Sequence, residues 1–159
     1  MAATGFSGFS GQAFSPAGDK GRFVLPPLFR GAVKASSGSK ILCLDKHAKF
    51  TCLTGFGLSR MGELEQQLNR EEDRAGADFD RDTRAQQLFG FAQVPFDDSG
   101  RFVLPDHLRM LGNIGDALFF QGGGRSFTLW NPAELIKMDD AWAAAKAACA
   151  QFMAEGKGK

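Results

Sequence analysis

Short apolar runs of strand composition, bounded by glycine, proline and aspartate, fill two separate blocks of this chain, with a stretch of helical spacing between them. The first block, "QAFSPAGDKGRFVLP", is extended and carries turn chemistry at "GDKG", where Gly supplies positive φ and Asp bonds nearby backbone. "RFVL" has strand composition and is stopped by Pro26 and Pro27. "PPLFR" reads as a short helical turn, with proline tolerated at its start. "KILCLD" and "KFTCLTGF" read as two further strands, joined into a hairpin by "DKHA". Beyond Leu58, Met61, Leu64 and Leu68 recur at helical spacing among Glu, Gln and Arg, which predicts one buried stripe. "GADFD" breaks that helix, and a second begins near Asp80 and carries Leu88 and Phe89. The strand pattern then restarts with "AQVPFDDSGRFVLP", the short turn "DHLR", and "ALFFQ" and "SFTLWN" joined by "GGGR". Asn131 as N-cap, Pro132 at the first helical position and Glu134 at capping-box spacing predict a last helix, continued by Ala-rich spacing to about Met153.

The two extended blocks share the letters GRFVLP, and each closes on an arginine, Arg30 or Arg109, four residues past the proline. Arg22 and Arg101 lie about half a chain apart, too far for a solenoid repeat of roughly 20–50 residues. The pattern reads as one unit duplicated and fused. Three or four short strands cannot bury their own faces, but two copies can do so by pairing around a pseudo-twofold axis. The expected organisation is a disordered tail over 1–8, a first strand unit over 9–57, connecting helices over 58–91, a second strand unit over 92–130, a C-terminal helix over 131–154 and a polar tail over 155–159. The fold class is mainly β with peripheral helices, α+β. Phe23, Val24, Leu25 and their copies Phe102, Val103 and Leu104 read as core residues.

Composition narrows the chemistry. The 159 residues are 43% hydrophobic and 23% charged, as in a soluble globular chain. Sixteen Phe stand against two Trp and no Tyr, so most rings are expected in the core. No apolar run approaches the ~18 residues of a membrane helix. "MAATGFSGFSGQ" lacks the basic and apolar regions of a secretory signal, so a cytoplasmic location is expected. Cys43, Cys52 and Cys149 read as free buried thiols of a reducing compartment. With His47 and His107 as the only histidines and no CxxC pair, a zinc site is poorly supported, and no cofactor is expected.

Net charge is +1, but its distribution is uneven. Residues 1–57 hold seven basic side chains against Asp19 and Asp45, whereas residues 58–100 hold ten acids against five arginines. Either the chain offers a polyanion one attractive and one repelled face, or these are solvated faces with no partner.

Arg22 and Arg101 each follow a glycine turn, and carboxylates lie just upstream: Asp19 in the first copy, Asp97 and Asp98 in the second. Such a pair either stiffens the turn locally or holds a presented guanidinium in one rotamer. Two presented guanidiniums related by a twofold match the dyad of duplex DNA, and the planar fork reaches guanine O6 and N7 together.

These residues also carry a family resemblance. "DKGRFVLP" followed by "FR", "DDSGRFVLP" followed by "LR", "FSGQA", "QLFGFAQ" and "SFTLWNP" resemble the MraZ transcriptional regulators, relatives of AbrB-type swapped-hairpin DNA-binding proteins. The resemblance spans about residues 9 to 142. It implies a pseudo-twofold β-barrel built from two tandem swapped-hairpin units, with helices outside. It further implies ring-like homo-oligomers that bind short G-rich repeats in double-stranded promoter DNA upstream of a division and cell-wall gene cluster. Repression, including that of the protein's own gene, and association with the nucleoid follow from the same resemblance. The family motif, Asp followed four residues later by Arg, survives as Asp97 and Arg101; in the first copy Gly18 stands in the Asp position and Asp19 follows it. The resemblance therefore points to Arg22 and Arg101 as base readers. Lys20 and the backbone of Gly21 and Gly100 fall to phosphates, Asp97 and Asp19 to orientation, and Arg30 and Arg109 act as DNA contacts or as structural arginines. Two rivals differ in class. An antitoxin-like interaction barrel would use the Ala-rich tail from Ala141 to Ala150 to mask a partner. An enzyme would need a site, and His107, Asp106 and Cys149 are scattered with no nucleophile motif, phosphate loop or metal spacing. No membrane and no small-molecule substrate are expected as partners.

Overall fold

The structure, a computed structural model, describes residues 8–157. Most of the expected tail over 1–8, and the last two residues of the tail over 155–159, lie outside the described residues. The first repeat runs β1 (Gln12–Pro16), β2 (Phe23–Val24), α1 (Pro27–Ser37), β3 (Ile41–Lys46) and β4 (Leu53–Phe56). Two helices follow, α2 (Met61–Ala75) and α3 (Arg81–Phe89). The second repeat runs β5 (Ala92–Pro95), β6 (Arg101–Phe102), α4 (Asp106–Leu111), β7 (Ala117–Gly122) and β8 (Phe127–Trp130). The chain closes with α5 (Pro132–Leu135) and α6 (Ala143–Lys157).

Six strands form one antiparallel sheet in the order β1-β7-β8-β4-β3-β5, and β2 pairs with β6 in a separate two-stranded ribbon. The sheet order reads the same from either edge once the repeats are exchanged. Its centre is the β4–β8 pair, where Thr54 faces Thr128, its own counterpart. On the ribbon, Phe23 faces its counterpart Phe102, with ring centroids 6.3 Å apart. A pseudo-twofold axis therefore passes through both pairs. The first strand of each repeat adds to the third strand of the other: β1 to β7 and β5 to β3. The architecture is thus mixed α+β, with a large antiparallel sheet and six helices among the described residues.

The main core lies between the sheet and the ribbon and contains Phe23, Leu25, Phe102, Leu104, Phe29, Leu108, Phe120 and Phe127. The opposite side of the sheet is covered twice. Leu64 of α2 packs with Cys43 and Phe56, while Ala145 and Cys149 of α6 pack with Cys52, Phe119 and Trp130. All three thiols are free and buried. Gly55 sits opposite Phe127, and a Cβ there would come within 2.6 Å of that ring, so the large side chain occupies space that only glycine leaves.

Several local expectations are corrected. "PPLFR" opens an eleven-residue helix rather than a single turn, because the apolar stripe continues through the buried Phe29 and Val33. The segment before Leu53 is a loop rather than strand, held by the Cys52 N–H on the Phe50 carbonyl. Met61 lies on the rim of its stripe, 40% exposed, while Leu64 and Leu68 are buried. Val24 is only half-buried and Val103 is 64% exposed, so neither is core; strand alternation turns their neighbours inward instead. The C-terminal helix is not continuous over 131–154. Asn131 caps α5, but Asp139 is extended and starts a fresh N-terminus by accepting from the Ala141 N–H. Glu134 forms no capping box; it accepts from Lys137 at 3.0 Å and Asn113 at 2.5 Å, and the lysine above all, then the amide, holds its carboxyl below the usual range. Glu155 to Lys157 belong to α6 rather than to a tail.

Candidate nucleic-acid interface

The β2–β6 ribbon has two chemically distinct faces. Phe23, Leu25, Phe102 and Leu104 are buried, whereas Arg22, Val24, Arg101 and Val103 alternate with them and face outward. Antiparallel pairing of Phe23 with Phe102 and of Val24 with Arg101 sets the two arginines on opposite strands, flanking the axis. A two-stranded ribbon is one of the elements a B-DNA major groove admits.

Each arginine closes a three-residue hairpin loop. In the second copy the Asp97 N–H donates to the Arg101 carbonyl at 3.0 Å and the Gly100 N–H to the Asp97 carbonyl at 2.9 Å. In the first copy the Gly18 N–H donates to the Arg22 carbonyl at 2.7 Å and the Gly21 N–H to the Gly18 carbonyl at 3.0 Å. The backbone bonds thus superpose Gly18 on Asp97 and Gly21 on Gly100. Both glycines are left-handed, at φ 70° and 87°, as a three-residue hairpin loop requires.

The side chains differ between the copies. Asp97 Oδ1 accepts from the Ser99 and Arg101 N–H groups, both at 2.9 Å, and its Oδ2 accepts from Arg101 Nε at 2.9 Å. The Arg101 N–H above all, then the Arg101 guanidinium and the Ser99 N–H, hold the Asp97 carboxyl below its ordinary range. With Nε engaged, the two Nη groups of the exposed Arg101 have no hydrogen-bond partner among the described residues. Arg22 has no carboxylate partner in its loop; its Nε approaches the Asp19 carbonyl at 3.4 Å. Lys20 is exposed and left-handed at φ 59°, a conformation costing a non-glycine residue about 1–2 kcal/mol.

Arg30 and Arg109 lie beneath the loops, half-buried. Arg30 Nε donates to the Leu25 carbonyl at 3.1 Å, and its guanidinium lies so close to Gly100 that a Cβ there would meet Nε at 2.7 Å. Arg109 donates to the Gly115 carbonyl at 2.9 Å and sits over the Phe23 ring, 5.5 Å from its centroid. Each arginine therefore touches the other repeat, and neither forms an ion pair among the described residues.

Two participants escape sequence reading. Lys40 reaches from the first repeat to Asp98 in the second loop at 2.5 Å and holds that carboxyl low. Ser15, 2% exposed, takes the Val24 N–H at 2.9 Å and ties β1 to the ribbon. Neither sits in the repeated letters, and only the register of distant strands brings them in. The scattered Asp106, His107 and Cys149 stay apart: the first two are exposed on α4, and the thiol is buried under α6. Among the described residues, no cluster of three His, Cys, Asp or Glu could hold a metal ion, and no helix is long and apolar enough to cross a membrane.

No protein-family model matches the chain. It is 31% identical over 125 residues to the transcriptional regulator MraZ of Parvibaculum lavamentivorans, covering 78% of this chain and 76% of that protein. The protein of the same name from Gluconacetobacter diazotrophicus is 31% identical over 117 residues, 72% of each chain. That from Roseiflexus sp. is 30% identical over 148 residues, 92% of this chain and 97% of its own.

Proposed function

The chain belongs to the MraZ family of transcriptional regulators, and from that premise we propose that it binds promoter DNA sequence-specifically through the outer face of the β2–β6 ribbon. The observation that carries this reading is the placement of Arg22 and Arg101 on that face, on opposite strands, across the pseudo-twofold axis. In this reading the two strand units, residues 9–57 and 92–130, are swapped-hairpin halves of one pseudo-barrel closed by the ribbon. Exchange of β1 and β5 between repeats supports it. The ribbon enters the major groove, where arginine forks read guanine edges. Lys20 and the loop backbones at Gly21 and Gly100 take phosphates, while Asp19 and Asp97 shape the loops. Arg30 and Arg109 act from below by holding the ribbon.

A single ribbon makes few contacts, and a net charge of +1 supplies little general attraction. Ring-like self-association over several G-rich boxes offsets this through effective concentration. The proposed outcome is repression of a division and cell-wall gene cluster that includes the protein's own gene.

The test is a mobility-shift titration with duplex DNA from upstream of the gene. An Arg22→Ala/Arg101→Ala double variant should lose about 1–3 kcal/mol per base contact, and binding by the unaltered protein should weaken as salt rises. Equal binding by both proteins, or a flat salt response, refutes the assignment.

A further inference from the structure

The twofold relates the backbones of the two loops but not their surroundings. The second loop is held from three sides: Asp97 caps it and grips Arg101 Nε, Lys40 pairs with Asp98, and the Arg30 guanidinium and Leu25 carbonyl press on Gly100. In the first loop each of these is missing or replaced. Gly18 offers no capping side chain, and nothing lies within 4 Å of a Cβ placed on Gly21. The backbone position that Lys40 takes beside β5, where its carbonyl accepts from the Phe96 N–H, is filled beside β1 by Asp116, whose carbonyl accepts from Ala17. Arg109, the counterpart of Arg30, bonds Gly115 instead.

Charge divides the loops in the same sense. The first carries Lys20 and Arg22 against Asp19, a net cation. In the second, Arg101 and Lys40 are already paired with Asp97 and Asp98, and the half-buried Arg30 guanidinium lies beside Gly100. A phosphate meets cations free of ion pairs among the described residues, Lys20 and Arg22, at the first loop, and cations already engaged by carboxylates, Arg101 and Lys40, at the second. Bidentate base reading needs a donor fork fixed in direction, which a braced loop supplies without ordering cost at binding. A phosphate contact tolerates a pliant cation.

Resting on the DNA-binding reading above but moving Arg22 from base edges to phosphate, we infer that the two hairpins work unequally: the second, with Arg101 positioned by Asp97, reads a base edge, while the first, with Lys20 and Arg22, grips the phosphate backbone. Asp97 is then a positioning residue acting through Arg101. Because the two ends of the ribbon differ, the protein sits on a non-palindromic box in one polarity.

A randomised duplex library, selected by the full chain and sequenced, tests this, with affinities then measured on the selected duplex and its single-base variants. The unaltered protein should enrich an asymmetric motif. Arg101→Ala should erase preference at one position, a loss of ~5–150-fold in discrimination against the wrong base. Asp97→Asn keeps an acceptor for the loop N–H groups but not the anion at Nε; it should blur the same position while the melting temperature stays within a few degrees. Arg22→Ala should weaken binding by a similar factor on every duplex and lower the salt slope by about one, leaving the motif unchanged. Gly18→Asp should sharpen a position in the other half of the motif. A palindromic motif, or loss of preference at different positions in Arg22→Ala and Arg101→Ala alike, overturns the division of labour while leaving DNA reading intact. Failure of the unaltered protein to enrich any sequence overturns both.

Discussion

Gly21 and Gly100 occupy the same place in the two repeats, yet replacing each with alanine should have different effects. Both are left-handed, so either substitution meets the ordinary penalty of a Cβ at positive φ, about 1–2 kcal/mol. At Gly21 that is the whole cost, since nothing lies within 4 Å of the added carbon. At Gly100 the carbon would stand 2.5 Å from the Leu25 carbonyl oxygen and 2.7 Å from Arg30 Nε. The ribbon must open there, weakening the Leu25 N–H bond to the Gly100 carbonyl and the Arg30 bond to Leu25. At ~1 kcal/mol for each bond, the total reaches about 3–4 kcal/mol. With a urea dependence of about 2 kcal/mol/M, the midpoint should fall by about 0.5–1 M for Gly21→Ala and 1.5–2 M for Gly100→Ala. Equal midpoints in the two variants, or a larger loss at Gly21, would show that the second loop is not braced as described.

Three further outcomes are expected. Asn131→Ala removes the cap on the Ala133 N–H and the 2.6 Å bond to the Asn113 carbonyl, and should lower stability in urea melts by about 1–2 kcal/mol. His47 Nδ1 accepts from the Lys49 and Phe50 N–H groups, and burial, then the Lys46 and Lys49 charges, hold its pKa below the ordinary value. The unfolded chain therefore takes that proton more readily. Stability should fall with a slope of at most about 1.4 kcal/mol per pH unit as pH drops from ~6.5 toward the depressed folded value, and His47→Asn should remove this component from melts across pH 5–7. Burial pushes the Cys43 thiol up to about 11 and Cys52 up to about 12, so iodoacetamide at pH 8 should label them slowly until urea unfolds the chain; rapid native labelling would contradict their burial.

Elements set by local chemistry were legible in the sequence. The stripe ending in Leu64 and Leu68 appears as α2, and Asp80 caps α3 through the Thr83 N–H, where the break after "GADFD" places it. What escaped reading depends on distant partners. "QAFSP" and "AQVP" each look like the first arm of a local hairpin, and nothing in either says that it joins the other repeat's sheet. Exposure of Val103 follows from Leu104 and Phe102 claiming the inside, a choice that composition alone cannot make. Asp139 restarts a helix because its extended backbone frees its carboxylate to cap Ala141, a detail hidden within an otherwise helix-favouring run. For the candidate interface, the repeated arginines were visible as letters, Arg30 among them; that Arg30 lies against the second loop, and that Lys40 reaches Asp98, was not.

The crossing of β1 to β7 also constrains how the chain is made. Gln12 bonds Gln121 across 109 residues of sequence, so on the ribosome the opening strand emerges long before its mate. At ordinary elongation rates of about 5–20 residues per second, that interval is on the order of 5–20 s. Throughout it, the apolar segment around Phe14 must be sheltered or remain loose, and a nascent chain arrested anywhere before β7 has no native place to put it.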